Sequence, residues 1–201
     1  MAKEKVETMT PLVLCCDLIS AGPLLYSKRI MSADMEGESP EAKEERTWRE
    51  RMHVDDQGCL FIPNIALKQT LANTAKYLSE KVPGKGQATY SKHFASGIMV
   101  IEPLQLGIKA KDIEGTPMLV PAQPSKPKGA QVTRIFPIIA QWQTKVEIVV
   151  LDPILLSHMD KVKQYVVFSG KFIGLLGMRV GNGGQFGRYS AANFRIKTML
   201  E

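Results

Sequence analysis

The residue types that suggest chemistry most strongly form a glycine-rich stretch near the end of the chain, residues 177–187. Seven of the sixteen glycines lie between Gly170 and Gly187, and glycine lets a backbone adopt left-handed conformations and approach another backbone closely. Consecutive amides in such a stretch can surround an anion, and Arg179 and Arg188 would add donors for a phosphate. The alternative is a tight helix-to-strand connection without a ligand. The pattern GxxxxGK[ST] is absent and a strand follows, so a nucleotide-binding P-loop is not expected.

The distribution of charge also favours an anionic partner. The net charge is +6, but residues 34–56 hold nine of the twenty acidic residues against four basic ones, a local charge of −5. The remainder therefore carries +11, and residues 161–200 hold seven Lys or Arg and no Asp or Glu. A basic field of this kind attracts polyanions through long-range Coulomb forces and counterion release. Solubility is the alternative explanation.

Side chains that could catalyse a reaction are sparse. The histidines His53, His93 and His158 are scattered without HxH or HExxH spacing, and no Ser-His-Asp or Cys-His order is recognisable. His93 is the last residue of a polar, basic stretch, 85–93, that we expect to be a loop, and it is the one candidate for a general base. The three cysteines lack CxxC spacing, so we expect no metal site and no cofactor.

The composition limits the class of protein. At 44% hydrophobic and 23% charged residues, the chain matches ordinary globular proteins and excludes wholesale disorder. No run of eighteen apolar residues occurs, so we expect no membrane-spanning helix and no membrane partner. The first residues lack the apolar core of a secretory signal, and three cysteines form an odd set. We therefore expect reduced thiols and a cytoplasmic location.

The elements that must position these residues alternate along the chain. An apolar run predicts a first strand at 11–19, and spacing of four predicts helices over 64–80 and 162–176. A charged helix, with Trp48 and Arg49 at an interface or facing solvent, is predicted over 41–52. The other predicted elements are a strand at 97–108, a pair of strands at 131–138 and 142–151, and a final strand at 189–197.

This order predicts the fold class. With an insertion at about 20–57 and a protruding arm at about 109–137, the elements follow β–α–β–β–α–β. That is the ferredoxin-like (RRM-like) order, an α+β fold in which a four-stranded antiparallel sheet carries two helices. We expect one domain over residues 1–201.

Two short motifs at these places resemble the RAMP superfamily of class 1 CRISPR effector complexes. FIGLLGMR (172–179) with GGQFGRY (183–189) resembles the family's glycine-rich loop before the last strand. GCLFIPNIALKQTL (58–71) resembles the family's IPGSSLKGxLR motif, which leads into the first helix. Asn64 and Gln69 stand where the family often has glycine, so the resemblance is to a divergent relative.

The resemblance implies a thumb-bearing backbone subunit that binds single-stranded RNA along a row of identical copies. It implies a role in antiviral defence, with the arm as the thumb. Lys68, Arg179 and Arg188 are the matching basic positions. Asp34 lies where some family members carry a cleaving aspartate, although no flanking motif accompanies it.

The candidate nucleic-acid contacts join these matching positions to others chosen for charge alone. The lysines Lys85, Lys92, Lys126 and Lys128 are of the second kind, and solvated loop lysines are the alternative. Tyr90, Phe186 and Tyr189 could stack on bases, with core packing as the alternative for Phe186. The complete set is Lys68, Lys85, Lys92, Lys126, Lys128, Arg179, Gly181, Gly183, Gly184, Gly187 and Arg188.

The leading hypothesis is a non-enzymatic protein that binds single-stranded nucleic acid, RNA in preference to DNA, by following the phosphates. Copies would assemble side by side into rings or filaments, with the acidic insertion against a neighbour's basic surface, and other ribonucleoprotein subunits are further partners. One alternative is an RNA endonuclease that uses His93, with Asp34 as a weaker catalytic candidate. The other is a structural or inhibitory protein whose basic face docks on an acidic partner.

Overall fold

The computed structural model describes residues 10–122 and 129–199, which form nine strands and five α-helices. The strands are β1 (Leu12–Ser20), β2 (Leu24–Leu25), β3 (Cys59–Ile62), β4 (Ile98–Val100), β5 (Leu104–Lys109), β6 (Gly115–Pro121), β7 (Gln131–Ile139), β8 (Gln143–Val150) and β9 (Tyr189–Thr198). The helices are α1 (Pro40–Thr47), α2 (Asn64–Leu78), α3 (Ser91–Ser96), α4 (Pro153–Leu156) and α5 (Met159–Phe168). Within the two described ranges, no helix meets the length and hydropathy that a bilayer span requires.

The largest sheet has four antiparallel strands in the order β4-β8-β1-β9. Its central strand β1 alternates, because successive side chains of a strand point to opposite faces. Leu14, Cys16 and Leu18 lie on one face and are at most 4% exposed. This face shares one hydrophobic core with α2 and α5. The predicted α+β class with a four-stranded antiparallel sheet is confirmed.

Helix α2 forms where the apolar spacing predicts it, and its predicted inner face is confirmed. Leu67, Leu71 and Ala75 are fully buried, and the helix ends at Ser79, which has a left-handed backbone. At its start, Asn64 Nδ2 donates to the carbonyls of Val100 and Ile101, both at 2.9 Å. The helix is therefore joined to the end of β4.

Two predictions about strands are wrong. The single strand expected at 97–108 is broken before Pro103, and its halves β4 and β5 belong to different sheets. Proline has no amide to donate to a ladder, which explains the break. The strands β7 and β8 do not pair with each other: β8 pairs with β1 and β4, whereas β7 pairs with β2 and β6.

The predicted arm is a β-hairpin made of β6 and β7. The two strands pair from Gly115 opposite Pro137 to Pro121 opposite Gln131. The residues between them, 123–128, lie outside the described part of the chain. The hairpin base is joined to the rest of the fold through β2, whose two residues pair with β7.

The second long helix differs from its prediction at both ends. Helix α5 begins at Met159, and a π-helical turn over Ser169–Ile173 replaces its last part. A side chain at Gly170 would come closer than 3.0 Å to the carbonyl oxygen of Tyr189, so the close packing expected of this glycine is found. Gly174 has a φ of 76° and ends the turn.

The charged helix of the insertion exists, but the expected exposure of Trp48 is wrong. Helix α1 continues into a 3₁₀ turn, Trp48–Arg51, and the Trp48 side chain is only 4% exposed. Its ring lies against Gly115 at the base of the arm, where an added Cβ would be 3.1 Å from the ring. The Arg49 guanidinium covers the same ring at 4.1 Å. Hydrophobic contact between insertion and arm outweighs the charged surroundings of this tryptophan.

A buried carboxylate joins the same two parts of the chain. Glu44, on α1, accepts two hydrogen bonds from Arg51, at 2.8 and 3.0 Å. It also accepts from Arg134, at 3.1 Å, and from the amide of Ile135, at 2.8 Å, both on β7. Arg51 Nε in turn donates to the Ile135 carbonyl at 3.0 Å. We call these four residues the Glu44 cluster.

Hydrogen bonding decides the charge state of this carboxyl group. Burial alone would raise the pKa of Glu44, but the bonds from Arg51, the Ile135 amide and Arg134 lower it below its ordinary value of 4.5. The folded protein therefore stabilises the ionised carboxylate. Removing one partner of such a buried pair leaves an uncompensated charge.

We expect Glu44→Gln to lower the free energy of unfolding by about 3 kcal/mol at neutral pH, because Arg51 loses its anion. A carboxyl group with a lowered pKa stabilises the fold above its ordinary pKa and loses that contribution as the pH falls through the lowered value. The difference in the free energy of unfolding between wild type and Glu44→Gln should therefore become smaller below pH 4.5. Urea unfolding at a series of pH values tests this, with the exposed neighbour substituted as Glu45→Gln for control. A gap that stays constant in acid would contradict it.

Candidate nucleic-acid interface

The glycine-rich stretch, residues 177–187, is here called the Gly-rich segment. The Gly177 amide donates to the Leu25 carbonyl at 3.0 Å, and the Gly187 amide donates to the Pro23 carbonyl at 2.8 Å. The amides of Gly183 and Gly184 donate to carbonyls within the segment, both at 3.0 Å. These four amides are occupied, so they do not form the free anion-binding set that the sequence predicts.

Close packing explains the glycines instead. A side chain at Gly184 would lie closer than 3.0 Å to the Met178 carbonyl, and one at Gly187 would meet the Leu175 backbone at a similar distance. Gly183 and Gly187 also have φ of 79°, a left-handed conformation that glycine adopts without strain. The segment is therefore a tightly folded connection, and its residues border two clefts.

The larger cleft opens between the insertion and the arm and has a volume of about 560 Å³. We call it the basic groove. It is bordered by the residues after β2, by α1 and the turn that follows it, by β7, and by Met178 of the Gly-rich segment. Its charged lining residues are Lys28, Arg29, Lys43, Arg51, Arg134 and Glu44.

Ion pairing leaves this groove positive. Lys43 pairs with Asp34, and Arg51 and Arg134 share the single carboxylate of Glu44. Lys28 and Arg29 are exposed and form no ion pair with a described residue. Five cations against two carboxylates leave a surplus of three positive charges. Such a groove attracts phosphates, and arginine can bind them through two parallel hydrogen bonds.

The second cleft, of about 370 Å³, also borders the Gly-rich segment, at Val180 and Gly181. We call it the aromatic cleft. The rings of Tyr77 and Phe172 form one side, with centroids 5.6 Å apart and planes inclined by 32°. Its cations are Lys171 and Arg188, and its lining is completed by Ile173. It contains no acidic lining residue among the described residues.

The two arginines predicted from the glycine-rich motif have different environments. Arg188 is exposed and lines the aromatic cleft, where its Nη1 donates to the Lys171 carbonyl at 2.6 Å. Arg179 is partly buried, and its Nε is buried without a hydrogen-bond partner in the described part of the chain. Arg179 lines neither cleft.

The predicted lysines are not brought together with these arginines. Lys68 and Tyr77 are nine residues apart on α2, or about half a turn around the helix axis, so Lys68 lies away from the aromatic cleft. Lys85 and Lys92 are exposed and line neither cleft. Lys126 and Lys128 lie outside the described residues.

His93 has a structural environment, and its expected place in a loop is wrong. It lies in α3, is 9% exposed, and its Nδ1 is 2.8 Å from Asp152 Oδ2. The other oxygen of Asp152 accepts from the amides of Ile154 and Leu155 and caps α4. The pair therefore links two helices. Asp34, the weaker catalytic candidate, forms an ion pair with Lys43. The endonuclease hypothesis stays a prediction.

The stacking residues proposed from the sequence are also corrected. Tyr90 is fully buried and its ring packs edge-on against Tyr165. Tyr189 is 3% exposed and shares a hydrogen bond with the Ser169 hydroxyl. Neither ring can reach a base, while Phe186 is half-buried. Among the residues that the structure describes, the exposed aromatic side chain is Tyr77, at 64%.

Sequence reasoning therefore missed the residues on which the two clefts depend. Lys28 and Arg29 follow β2 in a polar loop, and their adjacency is a weak signal on its own. Arg134 faces the groove because β7 pairs with β6 and β2, a pairing that was predicted differently. Tyr77 and Phe172 come together only through the packing of α2 against the π-helical turn.

Comparison with known proteins gives a fold relationship. No protein-family profile and no curated protein matches the sequence. A similar fold occurs in a chain from the cryo-EM structure of the Type III-B Cmr-beta bound to cognate target RNA, with a TM-score of 0.56 and 8% identity. The match covers 94% of this chain and 61% of that one, so this chain spans about three fifths of the neighbour's length. At this identity the likeness is one of fold.

We expect Gly184→Ala to destabilise the fold by more than about 2 kcal/mol, because the added methyl group would overlap the Met178 carbonyl and the backbone must move. The matched control is its neighbour: Gly183→Ala places the methyl in open space and has only the cost of its left-handed φ, about 1 kcal/mol. Thermal and urea unfolding measure both variants. Equal losses would show that packing is not the reason for glycine at 184.

Proposed function

We propose that this protein binds single-stranded RNA in the basic groove, as a RAMP-type subunit of a CRISPR-type ribonucleoprotein. The observation that carries this proposal is the groove's surplus of three positive charges, at the point where insertion, arm and Gly-rich segment meet. Cations from two separate parts of the sequence, the insertion and the arm, converge on one surface, which a general need for solubility does not require.

The topology supports the same proposal. The four-stranded antiparallel sheet with α2 and α5 on one face supports the proposed ferredoxin-like fold, in which two helices pack on such a sheet. The two RAMP-like motifs lie at the start of α2 and in the Gly-rich segment. The neighbour of similar fold is a chain of a Type III-B Cmr-beta structure that is bound to cognate target RNA, which favours RNA over an acidic protein as the polyanion.

The proposed mode of binding follows from the chemistry of the groove. Lys28 and Arg29 are available to phosphates, while Arg51 is fixed by Glu44 and Arg134 is shared with it. Arg134 is 43% exposed, so it can bind a phosphate and stay on the cluster. Contacts of this kind follow the backbone and carry no base sequence, so binding should be general and should weaken steeply with salt.

We expect a fluorescein-labelled oligouridine to bind the wild-type protein with a strong salt dependence. The double variant Lys28→Gln/Arg29→Gln should bind more weakly, and its log-log salt slope should be shallower by about 0.7 for each phosphate that the variant no longer binds. Fluorescence anisotropy at several salt concentrations measures both quantities. Lys81→Gln/Lys145→Gln, which removes the same charge at two exposed lysines outside the groove, is the matched control.

Two results would contradict the proposal. Equal slopes for the groove variant and its control would mean that the basic groove does not hold the strand. Absence of binding to oligouridine and oligothymidine at low salt would favour the alternative of an acidic protein partner. Tighter binding of oligouridine than oligothymidine is the result expected of an RNA-binding protein.

The proposal extends to side-by-side assembly along the strand. Much of the acidic insertion is used within the chain: Glu38 pairs with Arg46, and Glu50 accepts from the amides of Met31 and Ser32. The acidic residues that remain exposed without a described partner include Glu36, Glu41 and Glu45. These three, unlike Glu44 and Glu50, are available to meet a neighbouring basic surface.

We expect complexes on oligouridines of increasing length to grow in steps of one protomer mass, 22.3 kDa. Charge reversal by Glu36→Lys/Glu41→Lys/Glu45→Lys should reduce the number of protomers on a long strand, because like charges would then face each other. Mass photometry counts the protomers, and the neutral triple substitution to Gln is the control. A single protomer on every length would exclude assembly and leave RNA binding intact.

A further inference from the structure

The aromatic cleft has the chemical features of a site for one nucleotide. Tyr77 is 64% exposed, although it lies on α2 beside Phe172 and makes a ring contact with it. Phe172 in turn contacts the ring of Phe168, with centroids 5.7 Å apart. Phe172, itself packed on Phe168, therefore supports the ring of Tyr77 on one side, while the outer face of the Tyr77 ring stays open to solvent. An exposed, supported ring of this kind is a stacking surface for a base.

Cations lie at the same place. Lys171 Nζ is 5.5 Å from the centroid of Phe172, and the Arg188 guanidinium is anchored through the Lys171 carbonyl at 2.6 Å. One Nη1 bond leaves the remaining donors of Arg188 free to bind an anion. Because no acidic residue lines the cleft within the described ranges, these two charges are not neutralised there.

We propose that the aromatic cleft binds a nucleotide, with its base on the open face of Tyr77 and its phosphate on Arg188 and Lys171. A volume of about 370 Å³ is sufficient for such a ligand. The Gly-rich segment borders both this cleft and the basic groove, so a strand lying in the groove could place one of its nucleotides here. That the nucleotide belongs to a strand in the basic groove rests on the proposed function. Nucleotide binding by the aromatic cleft does not depend on it.

The test compares ligands that differ by one part. NMR titrations of the isotope-labelled protein with adenosine monophosphate, uridine monophosphate and ribose 5-phosphate separate the base from the phosphate. We expect the nucleotides to bind more tightly than ribose 5-phosphate, and Tyr77→Ala to weaken nucleotide binding by about 5- to 150-fold, the range found for base–aromatic stacking. Tyr77→Phe keeps the ring and should bind as wild type does.

The charge half of the site has its own test. Arg188→Gln should weaken all three ligands, because each carries the phosphate. Arg195→Gln, which removes an equal charge from an exposed position on β9 outside the cleft, should weaken none. Equal binding of nucleotides and ribose 5-phosphate, or an unchanged affinity in Tyr77→Ala, would overturn the proposal.

Oligouridine binding distinguishes the source of the nucleotide. If Tyr77→Ala weakens the mononucleotides and oligouridine alike, the cleft holds one residue of a bound strand. If mononucleotides bind and oligouridine does not, the cleft takes a free nucleotide and the RNA-binding proposal fails independently. If oligouridine binds through the groove and no mononucleotide is detected in wild type, the nucleotide cleft is excluded and the groove proposal stands.

Discussion

The buried carboxylate of Glu44 is the interaction on which the candidate interface depends. A charge taken out of water is costly unless several donors surround it, and here the donors come from two remote parts of the chain. Arg51 belongs to the insertion, while Arg134 and the Ile135 amide belong to the arm. The carboxylate therefore connects the two walls of the basic groove. It also sets how much of the groove's charge is left for a ligand, since it neutralises only one of its two arginines.

The sequence was sufficient to predict β1 and α2 and to place β8, β9 and α5 approximately. Periodic apolar patterns arise because one face of a strand or helix is buried. This is the case for the alternating residues of β1 and for Leu67, Leu71 and Ala75 on α2. The sequence was insufficient for pairing between strands, as β7 and β8 show: β7 pairs with β6, which lies in a stretch with no strand pattern of its own, and with β2, which is more than a hundred residues away. Trp48 was misplaced for a related reason, since its contact with Gly115 is not local.

The candidate site shows the same division between local and tertiary information. The glycine content of residues 177–187 indicated a segment in which backbones approach closely, and the structure has such a segment. Four of the glycine amides that could have bound an anion donate to backbone carbonyls instead. Arg188 was identified from the motif and does line a cleft. Its aromatic neighbours Tyr77 and Phe172 are 95 positions apart in the sequence, so no local pattern joins them. Charge was the only reason to choose the loop lysines as candidates. The composition of a segment gives its charge, but it does not show which charged side chains lie close together in the fold.

The contact of Trp48 with Gly115, added to the Glu44 cluster, joins insertion and arm before any ligand arrives. Association usually loses free energy when loops and side chains become ordered. Walls that are already fixed to each other avoid part of that loss, so the groove is preorganised. The same rigidity removes the freedom to adapt, and a groove that cannot adjust selects its ligands by shape as well as by charge.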